Sequence, residues 1–320
     1  MERVTRQRVS AQIAGPSILE LMPSFQRHLR AENKSPRTVE SYTEAVRRLH
    51  DFLSAKGMPV TVASITREHI EAFMEDQLSR LAASSARSRY ASLRQFWRWC
   101  VEDGERTDSP MPPRPPKVAE QPVPVLSEEE LRALLRTVDK DTSFYGRRDA
   151  AILRLFIDTG ARLSEVANLS VDDLNLDAGT VSFLGKGGSM RINPLGSKSV
   201  RSLDRYLRGL WRFELPPGAV QTGTVVPVSP LWIGRAGRLT SYGIAEMVKR
   251  RAAQAGIGEI HVHQLRHSAA HYLRLAGADD DAVLRLMGWR DRSMLHRYGA
   301  SAADERAREV HRRLSPGDRL

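Results

Sequence analysis

The spacing of apolar residues predicts helices along the first hundred residues. Ser35-Pro36 is a typical helix start, with serine as the N-cap and proline in the first turn. Apolar residues then recur at helical spacing, at Val39, Tyr42, Val46, Leu49 and Leu53. Similar patterns predict helices from about Ile18 to Leu29, after Thr66, and around Tyr90 to Cys100. This part of the chain is therefore expected to form a four-helix domain.

The second part of the chain predicts helices together with one hairpin. Ser127 to Glu130 (SEEE) fits a capping box that opens a helix. The segment GTVSFLGKGGSMRINPL predicts two short strands around the turn Lys186-Gly187-Gly188. Further helices are predicted from about Arg148 to Gly160, from Ser241, within 261–277, from Asp279 to Gly288, and around Met294 to Tyr298. The fold class is therefore mainly α with a small β-sheet.

A proline-rich stretch, TDSPMPPRPPKVAEQPVPV, marks the boundary between the two parts. This density of proline cannot continue a helix and predicts an extended, fairly stiff connector. We therefore expect a helical domain over 17–106, a linker over 107–125, a mixed α/β (α+β) domain over 126–310, and a short tail over 311–320.

Composition narrows the class of partner. The 320 residues carry a formal net charge of +11, which favours a polyanion such as nucleic acid or an anionic membrane surface. No run of about 18 apolar residues is present, so no membrane span is expected. The single cysteine, Cys100, excludes an internal disulfide framework and a cysteine-rich zinc module. We therefore expect a cytoplasmic protein that acts on DNA or RNA.

Four arginines stand on the helix that ends near Cys100, at Arg87, Arg89, Arg94 and Arg98. Each of them alone could belong to a solvated face. Together with the overall charge, they favour a surface that follows phosphates and predict DNA-binding positions.

The stretch HVHQLRHSAAHYLRLAG, residues 261–277, holds four of the nine histidines. On a helix, Val262, Leu265, Ala269 and Tyr272 share a core-facing side. His263, Arg266, His267 and Arg274 fall on the roughly opposite side, and His271 lies at the flank.

Three interpretations fit a helix with this set of side chains. A zinc site using His263 and His267 lacks the glutamate of the H-E-x-x-H pattern, since Gln264 stands there, and Arg266 would repel a metal ion. A purely structural face is the second interpretation. The third is an anion site, because imidazole and guanidinium groups together offer several donors to phosphate oxygens. The anion site is favoured and no metal is expected.

Two further cations have special positions in the predicted fold. Gly160 ends one predicted helix, and Arg162, shortly after it, stands at the start of the next. The start of a helix attracts anions. Lys186 lies on a tight, glycine-rich hairpin whose tip could reach a groove. Either position alone is a weak signal, since a lysine in a turn is usually just solvated.

Four blocks of the chain, in order, resemble the tyrosine recombinases, also called the phage integrase family. They are TGARLSE, GKGGSMR, HQLRH and LMGWRDRSMLHRYG. Upstream, ENKSPRTVESYTEAVRRLHDFL and SSARSRYASLRQFWRWC are similar to the family's SAM-like core-DNA-binding domain. The resemblance covers roughly residues 17–305 and is closest to the Xer or mobile-element type.

The resemblance implies DNA cleavage and rejoining through a 3′-phosphotyrosine, without a metal ion, ATP or another cofactor. It assigns Tyr298 as the nucleophile and Lys186 as the general acid that protonates the leaving 5′ oxygen. The whole catalytic set that it implies is Arg162, Lys186, His263, Arg266, Trp289 and Tyr298, with His267 and Glu165 in supporting positions. Trp289 stands where histidine is commoner in the family, and Gly299 after the tyrosine is less usual.

The resemblance also implies an assembly. Two domains would form a C-shaped clamp on double-stranded DNA, and a homo-tetramer, or a hetero-tetramer with a related recombinase, would bring two DNA sites together at the nucleoid. Integration, excision and resolution stay open as roles. A non-catalytic DNA-binding protein and a relaxing type IB topoisomerase are the alternatives.

Overall fold

The computed structural model describes residues 15–119, 124–185, 188–211, 230–289, 291–292, 294–295, 308, 311–315 and 317–319. Helices dominate these ranges and two small antiparallel sheets accompany them, so the predicted mainly α fold class is confirmed. The chain divides into two compact units, residues 1–120 and 121–320. The domain limits expected from the sequence and the C-shaped clamp stay predictions.

The N-terminal unit contains four helices. They are α1 (Met22–Ala31), α2 (Pro36–Ala55), α3 (Arg67–Arg80) and α4 (Ala83–Glu102). Ser35 caps α2 as predicted, and its Oγ accepts a hydrogen bond from the backbone N–H of Thr38 at 3.2 Å. The first helix begins at Met22, later than the predicted Ile18, because the backbone N–H of Ile18 donates to the carbonyl of Val60 at 3.0 Å.

The core of this unit consists of large side chains from all four helices, and its fully buried members include Phe25, Leu49, Phe73, Phe96 and Trp97. Residues 107–119 contain no helix or strand, as the proline-rich composition predicts. The start of this stretch nevertheless packs on the unit. Met111 joins the core, and the hydroxyl of Tyr90 donates to the carbonyl of Pro112. Hydrophobic burial therefore ties the first residues of the predicted connector to the helices.

The C-terminal unit has seven helices and five short strands among its described residues. They are α5 (Glu128–Asp139), α6 (Phe144–Thr159), α7 (Leu163–Ala167), β1 (Leu174–Asn175), β2 (Thr180–Leu184), β3 (Met190–Pro194), α8 (Ser197–Leu210), β4 (Ile233–Gly234), β5 (Gly237–Arg238), α9 (Ser241–Ala255), α10 (Val262–Leu275) and α11 (Asp280–Met287). The order β1-β2-β3 is antiparallel, and β4 pairs with β5. A single turn of 3-10 helix precedes β1.

Several sequence signals act here as predicted. Ser127 and Glu130 form the capping box of α5, and Asp279 Oδ1 caps α11 by accepting from the N–H of Ala282 at 2.8 Å. The α6 helix ends before Gly160 as expected but starts at Phe144, four residues earlier than predicted, because Ser143 caps it. The expected last helix is described only at 294–295, and the rest of it lies outside the described residues.

The α6 helix forms the centre of the second core, and α5, α8 and α10 pack around it. The predicted inner face of α10 is confirmed, since Val262, Leu265 and Ala269 are buried and Tyr272 packs beside them. This packing fixes α10 against the end of α6, where the candidate site lies. Among the described residues, no helix combines the length and apolar character that crossing a membrane requires.

A charged cluster lies inside this unit, away from α11. The completely buried Asp149 of α6 binds the guanidinium of Arg148 through Oδ1, at 2.6 Å. Its Oδ2 accepts from Nε of Arg251 of α9 at 3.0 Å and from Nη2 of Arg250 at 3.1 Å. The carboxylate of Asp149 thus compensates the buried guanidinium groups of Arg148, on α6, and Arg251, on α9. The cluster therefore joins α6 to α9.

We predict that Asp149→Ala lowers the free energy of unfolding by about 3–5 kcal/mol, since it leaves the buried guanidinium of Arg148 without a carboxylate partner. Asp139→Ala is the matched control. Asp139 pairs with Arg154, but its side chain is 49% exposed, so its loss should cost less than about 1 kcal/mol. Denaturant unfolding followed by circular dichroism measures both values, and equal losses in the two variants would contradict the prediction.

Candidate active site

The carboxyl end of α11 is the point where the site is assembled. Gly288 follows the helix in the left-handed conformation, with φ of 61°. Its N–H donates to the carbonyl of Arg285 at 3.1 Å, and the N–H of Trp289 donates to the carbonyl of Leu284 at 2.9 Å. This is the Schellman arrangement that ends many helices, and it uses two of the last helical carbonyls.

The next three carbonyls, of residues 286–288, each accept a hydrogen bond from a different element. Asn193 Nδ2 of β3 donates to the first at 2.9 Å, and Arg266 Nη2 of α10 donates to the second at 2.6 Å. Arg162 Nη2 donates to the third at 3.3 Å. Because carbonyls at the end of a helix carry partial negative charge, they attract cations. Two guanidinium groups are thereby held at adjacent backbone atoms.

Arg266 is buried, with 2% of its surface exposed. Its Nη1 donates to the carbonyl of Gly160 at 2.5 Å, and its Cζ lies 5.5 Å from the centre of the Trp289 ring. The sequence correctly separated Arg266 from the apolar side that contains Leu265. It did not show that α11 and the end of α6 cover this second side.

Arg162 stands immediately before α7, at the helix start that the sequence predicted. Its N–H donates to Glu165 Oε2 at 2.7 Å, and its Nη1 donates to Glu165 Oε1 at 2.8 Å. The side chain is 40% exposed, in contrast to that of Arg266. Arg162 can therefore reach a ligand from solvent while its base is fixed by Glu165.

Glu165 lies between two guanidinium groups, those of Arg162 and Arg191. Arg191 of β3 donates from Nη1 and Nη2 to the two carboxylate oxygens, at 2.8 and 2.9 Å. Burial raises the pKa of Glu165, but the hydrogen bonds and charges of Arg191 and Arg162 outweigh it and lower the pKa to about 2. Glu165 is therefore ionised at neutral pH and serves as a fixed anion between the arginines.

The two histidines of the HQLRH block stand one turn apart on α10. Their rings are stacked, with centres 5.8 Å apart and an angle of 13° between the planes. His263 is exposed and His267 is half-buried. Trp289 is buried beside Arg266 and packs with Leu295 in a small apolar cluster. The structure thus brings Arg162, Glu165, Arg266 and Trp289 together at the end of α11.

Lys186 and Tyr298 lie outside the described residues, and so does Gly299. Described residues that flank them in the sequence have contacts of their own. Gly185 and Ser189 close the base of the hairpin through a backbone hydrogen bond of 2.7 Å. Arg274 Nη1 donates to the carbonyl of Leu295 at 3.0 Å, three residues before Tyr298. The catalytic roles of Lys186 and Tyr298 stay predictions.

Three residues that support the site had no role in the sequence analysis: Arg191, Asn193 and Arg274. Arg191 and Asn193 are two residues apart on β3, so both lie on the same side of the strand. Arg274 falls on the predicted polar side of α10, a position that does not indicate any particular partner. Their partners come from distant segments, so no local pattern identifies these contacts.

The four predicted DNA-binding arginines lie on α4 of the N-terminal unit. Arg87, Arg94 and Arg98 are exposed, and Arg98 forms a 2.8 Å ion pair with Glu102. Such an exposed pair is weak and leaves Arg98 able to meet another anion. Arg89 is half-buried and donates to Gln77 of α3. Arg89 therefore has a structural contact that competes with a role in DNA binding.

The site in the C-terminal unit combines fixed cations with imidazole and indole side chains at one helix end. Guanidinium groups bind phosphate oxygens well, and imidazole groups can donate to the same oxygens or move protons. In the described part of the chain, no three His, Cys, Asp or Glu side chains converge as a metal-binding group. The arrangement is suited to binding an anion such as a phosphodiester.

Comparison with known proteins identifies the family. The match to the phage integrase family covers residues 124–305, and the match to a phage integrase N-terminal SAM-like domain covers residues 21–104. This chain belongs to the phage integrase family. It is a tyrosine recombinase of the Xer-like type, as the ordered sequence blocks indicated.

Full-length relatives and a solved structure are similar to this recombinase. Tyrosine recombinase XerC of Oceanobacillus iheyensis is 31% identical over 306 residues, which cover 93% of this chain and 97% of the relative. XerD of Listeria monocytogenes is 32% identical over 289 residues, 88% and 93% of the two chains. The structure of XerH recombinase bound to palindromic difH substrate has a TM-score of 0.70 at 18% identity, with 88% and 81% covered. The last similarity concerns the fold.

We predict that Gly160→Ala destabilises the recombinase more than Gly256→Ala. Both glycines end helices in the left-handed region, so each alanine costs about 1–2 kcal/mol in backbone energy. A Cβ on Gly160 would lie 2.6 Å from Met287 Sδ, whereas a Cβ on Gly256 meets nothing within 4 Å. Thermal unfolding of the two variants measures the difference, and equal midpoints would refute the close packing of α6 on α11.

We predict that Glu165→Gln is less stable than the wild type at neutral pH and that the difference shrinks in acid. A carboxyl whose pKa falls from 4.5 to about 2 on folding contributes stability above pH 4.5. That contribution, about 3 kcal/mol, is lost as the pH falls from 4.5 towards 2. Denaturant unfolding of both proteins at pH 2 to 7 measures it. A pH-independent difference would show that Glu165 is not held by the arginines.

Proposed function

We propose that this chain is a site-specific DNA recombinase that cleaves and rejoins DNA strands through a 3′-phosphotyrosine intermediate. The observation that carries the proposal is the convergence of Arg162 and Arg266 on adjacent carbonyls at the end of α11. A phosphodiester offers two charged non-bridging oxygens, and two fixed guanidinium groups match them. Membership of the tyrosine recombinases supports this choice of substrate group.

The arginines would act on the transition state. Attack on phosphorus places additional charge on the non-bridging oxygens, and donors that are already oriented stabilise that charge without reorganising. Arg266 is positioned by Gly160 and Met287, and Arg162 by Glu165 and Gly288. In this proposal the folded protein already holds both guanidinium groups in position before DNA binds.

The covalent step in this proposal belongs to Tyr298. Its oxygen attacks the scissile phosphorus, a P–O bond to the new tyrosyl ester forms, and the bond to the 5′ oxygen breaks. Lys186 protonates that leaving oxygen as general acid. The 5′ hydroxyl of a partner strand then attacks the phosphotyrosine and restores Tyr298. The phosphodiester bond energy is conserved, so the exchange does not need ATP.

The remaining polar groups of the site would assist. His263 is the candidate for accepting or orienting the tyrosine proton, since an imidazole suits proton transfer near neutral pH. His267 would donate to the phosphate, and Trp289 would shield the site from water. Glu165 supports Arg162 and takes no part in proton transfer, because its lowered pKa keeps it ionised.

Double-stranded DNA is the proposed partner. The XerH structure that shares this fold is described as a post-cleavage complex with palindromic difH substrate. The net charge of +11 and the exposed Arg87, Arg94 and Arg98 of α4 support phosphate contacts in this chain. By analogy we propose a tetramer, of this chain alone or with a related recombinase, on two DNA sites at the nucleoid in the cytoplasm. Integration, excision and resolution use the same chemistry.

The proposal predicts a covalent protein–DNA adduct. Selection from a random duplex pool first supplies a bound sequence, which is then nicked close to the cleavage point so that the released fragment diffuses away. Wild-type protein should form an adduct that survives denaturation. Tyr298→Phe should bind with similar affinity and form none. The control Tyr272→Phe should still form the adduct, because the Tyr272 hydroxyl donates to the backbone carbonyl of Leu126.

Three results would overturn the proposal. An adduct with Tyr298→Phe would show that another residue is the nucleophile. A footprint without any adduct would indicate a non-catalytic DNA-binding protein. Relaxation of supercoiled DNA without sequence preference would indicate a type IB topoisomerase.

A further inference from the structure

Arg191 on β3 is held by contacts from several directions. Its guanidinium lies 4.8 Å from the centre of the Phe183 ring, on the paired strand β2. Its Nε donates to Asn193 Oδ1 at 3.0 Å, and only 14% of the side chain is exposed. A cation over an aromatic face with a fixed Nε has little rotational freedom. Arg191 therefore presents its two terminal nitrogens in one direction.

Those two nitrogens meet the carboxylate of Glu165, and the same carboxylate holds Arg162. Glu165 Oε1 accepts from Nη1 of both Arg162 and Arg191, each at 2.8 Å. The Glu165 side chain is only 4% exposed. A bidentate arginine fixes the plane of a carboxylate, which a single donor does not. The direction in which Glu165 holds Arg162 is thus set by Arg191.

Arg191 also packs against the second partner of Arg162. A Cβ added to Gly288 would lie 2.9 Å from Arg191 Nη1 and 3.2 Å from its Cδ. The carbonyl of Gly288 is the one that accepts from Arg162 Nη2. Arg191 therefore binds the carboxylate and lies beside the backbone residue that together orient the Arg162 guanidinium.

We propose that Arg191 is a positioning residue for DNA cleavage, which acts through Glu165 and Gly288 to aim Arg162 at the scissile phosphate. This inference rests on the proposed function and adds a residue outside the catalytic set. Arg191 itself does not touch the phosphate. Its contribution is to keep Glu165 from turning and drawing Arg162 away from the ligand.

The inference predicts a change in rate with little change in DNA binding. Arg191→Ala should slow single-turnover cleavage of the nicked substrate by on the order of 10- to 100-fold, less than complete loss of a transition-state donor. Its dissociation constant for the same DNA should stay within about threefold, because many phosphate contacts share the binding energy.

A substrate with a neutral scissile group separates positioning from a general structural role. In a methylphosphonate, a methyl group replaces one non-bridging oxygen, so the charge that Arg162 stabilises is absent. Wild type and Arg191→Ala are compared on the phosphodiester and on each methylphosphonate diastereomer. The rate deficit of Arg191→Ala should shrink to about threefold or less on one diastereomer, since no oriented guanidinium is needed there.

Two further variants test whether slower cleavage by Arg191→Ala results only from lower stability of the protein. Arg191→Lys keeps the charge but has no planar fork, so its deficit should be intermediate and should shrink on the same diastereomer. Arg251→Lys is the matched control, because Arg251 is a buried arginine that binds two carboxylates away from the site. It should lower the melting temperature and leave the cleavage rates on all substrates unchanged at a temperature below melting.

The outcomes are distinguishable from a failure of the proposed function. If wild type forms no adduct, the proposed function fails and not this inference alone. If wild type forms the adduct and Arg191→Ala cleaves the phosphodiester as fast as wild type, the inference is wrong. An equal deficit on the phosphodiester and both methylphosphonates would also overturn it, since Arg191 would then serve only stability.

Discussion

The last carbonyl groups of α11 are the constraint on which the site depends. A helix end leaves carbonyls without intrahelical partners, and buried polar groups must be satisfied. Here the backbone N–H groups of Gly288 and Trp289 donate hydrogen bonds to two of these carbonyls. Three side chains donate to the next three carbonyls: Asn193 of β3, Arg266 of α10 and Arg162 at the start of α7. Satisfying one helix end thereby brings four separate segments of the chain together.

The same contacts compensate the positive charge of the two arginines in the site. Arg266 is buried, yet its guanidinium meets the carbonyls of Gly160 and Met287, which carry partial negative charge at two helix ends. Arg162 is compensated by a carboxylate whose pKa is low because Arg191 shares it. The protein can therefore hold two cations side by side without DNA, and a phosphodiester would complete their neutralisation.

Local chemistry in the sequence predicted much of the fold. Ser35, Ser127 and Asp279 cap helices because their oxygens accept from nearby N–H groups, and such contacts are visible in a short window. Gly160 and Gly288 end helices for an equally local reason. The four blocks also indicated Arg162, Glu165, Arg266 and Trp289, which the structure brings to one helix end. By contrast, α8 was not predicted, although Leu203, Tyr206 and Leu207 have helical spacing.

Other features depend on residues far apart in the chain. Periodicity separates the two sides of α10 but does not tell whether the polar side is solvated, so the burial of Arg266 was not foreseen. Arg191 follows the alternation expected of any strand, and its partner Glu165 is 26 residues away. Asn193 reaches a carbonyl 93 residues away. Contacts of this kind follow from tertiary packing and require the structure.

The attachment point of DNA tests the central claim most directly, namely that this helix end is the cleavage site of a tyrosine recombinase. The trapped adduct would be digested with nuclease and trypsin, and the nucleotide-bearing peptide sequenced by mass spectrometry. We expect the modification on Tyr298, in the segment YGASAADER that follows Arg297. A nucleotide on any other residue, such as Tyr272 in HSAAHYLR, would contradict the account.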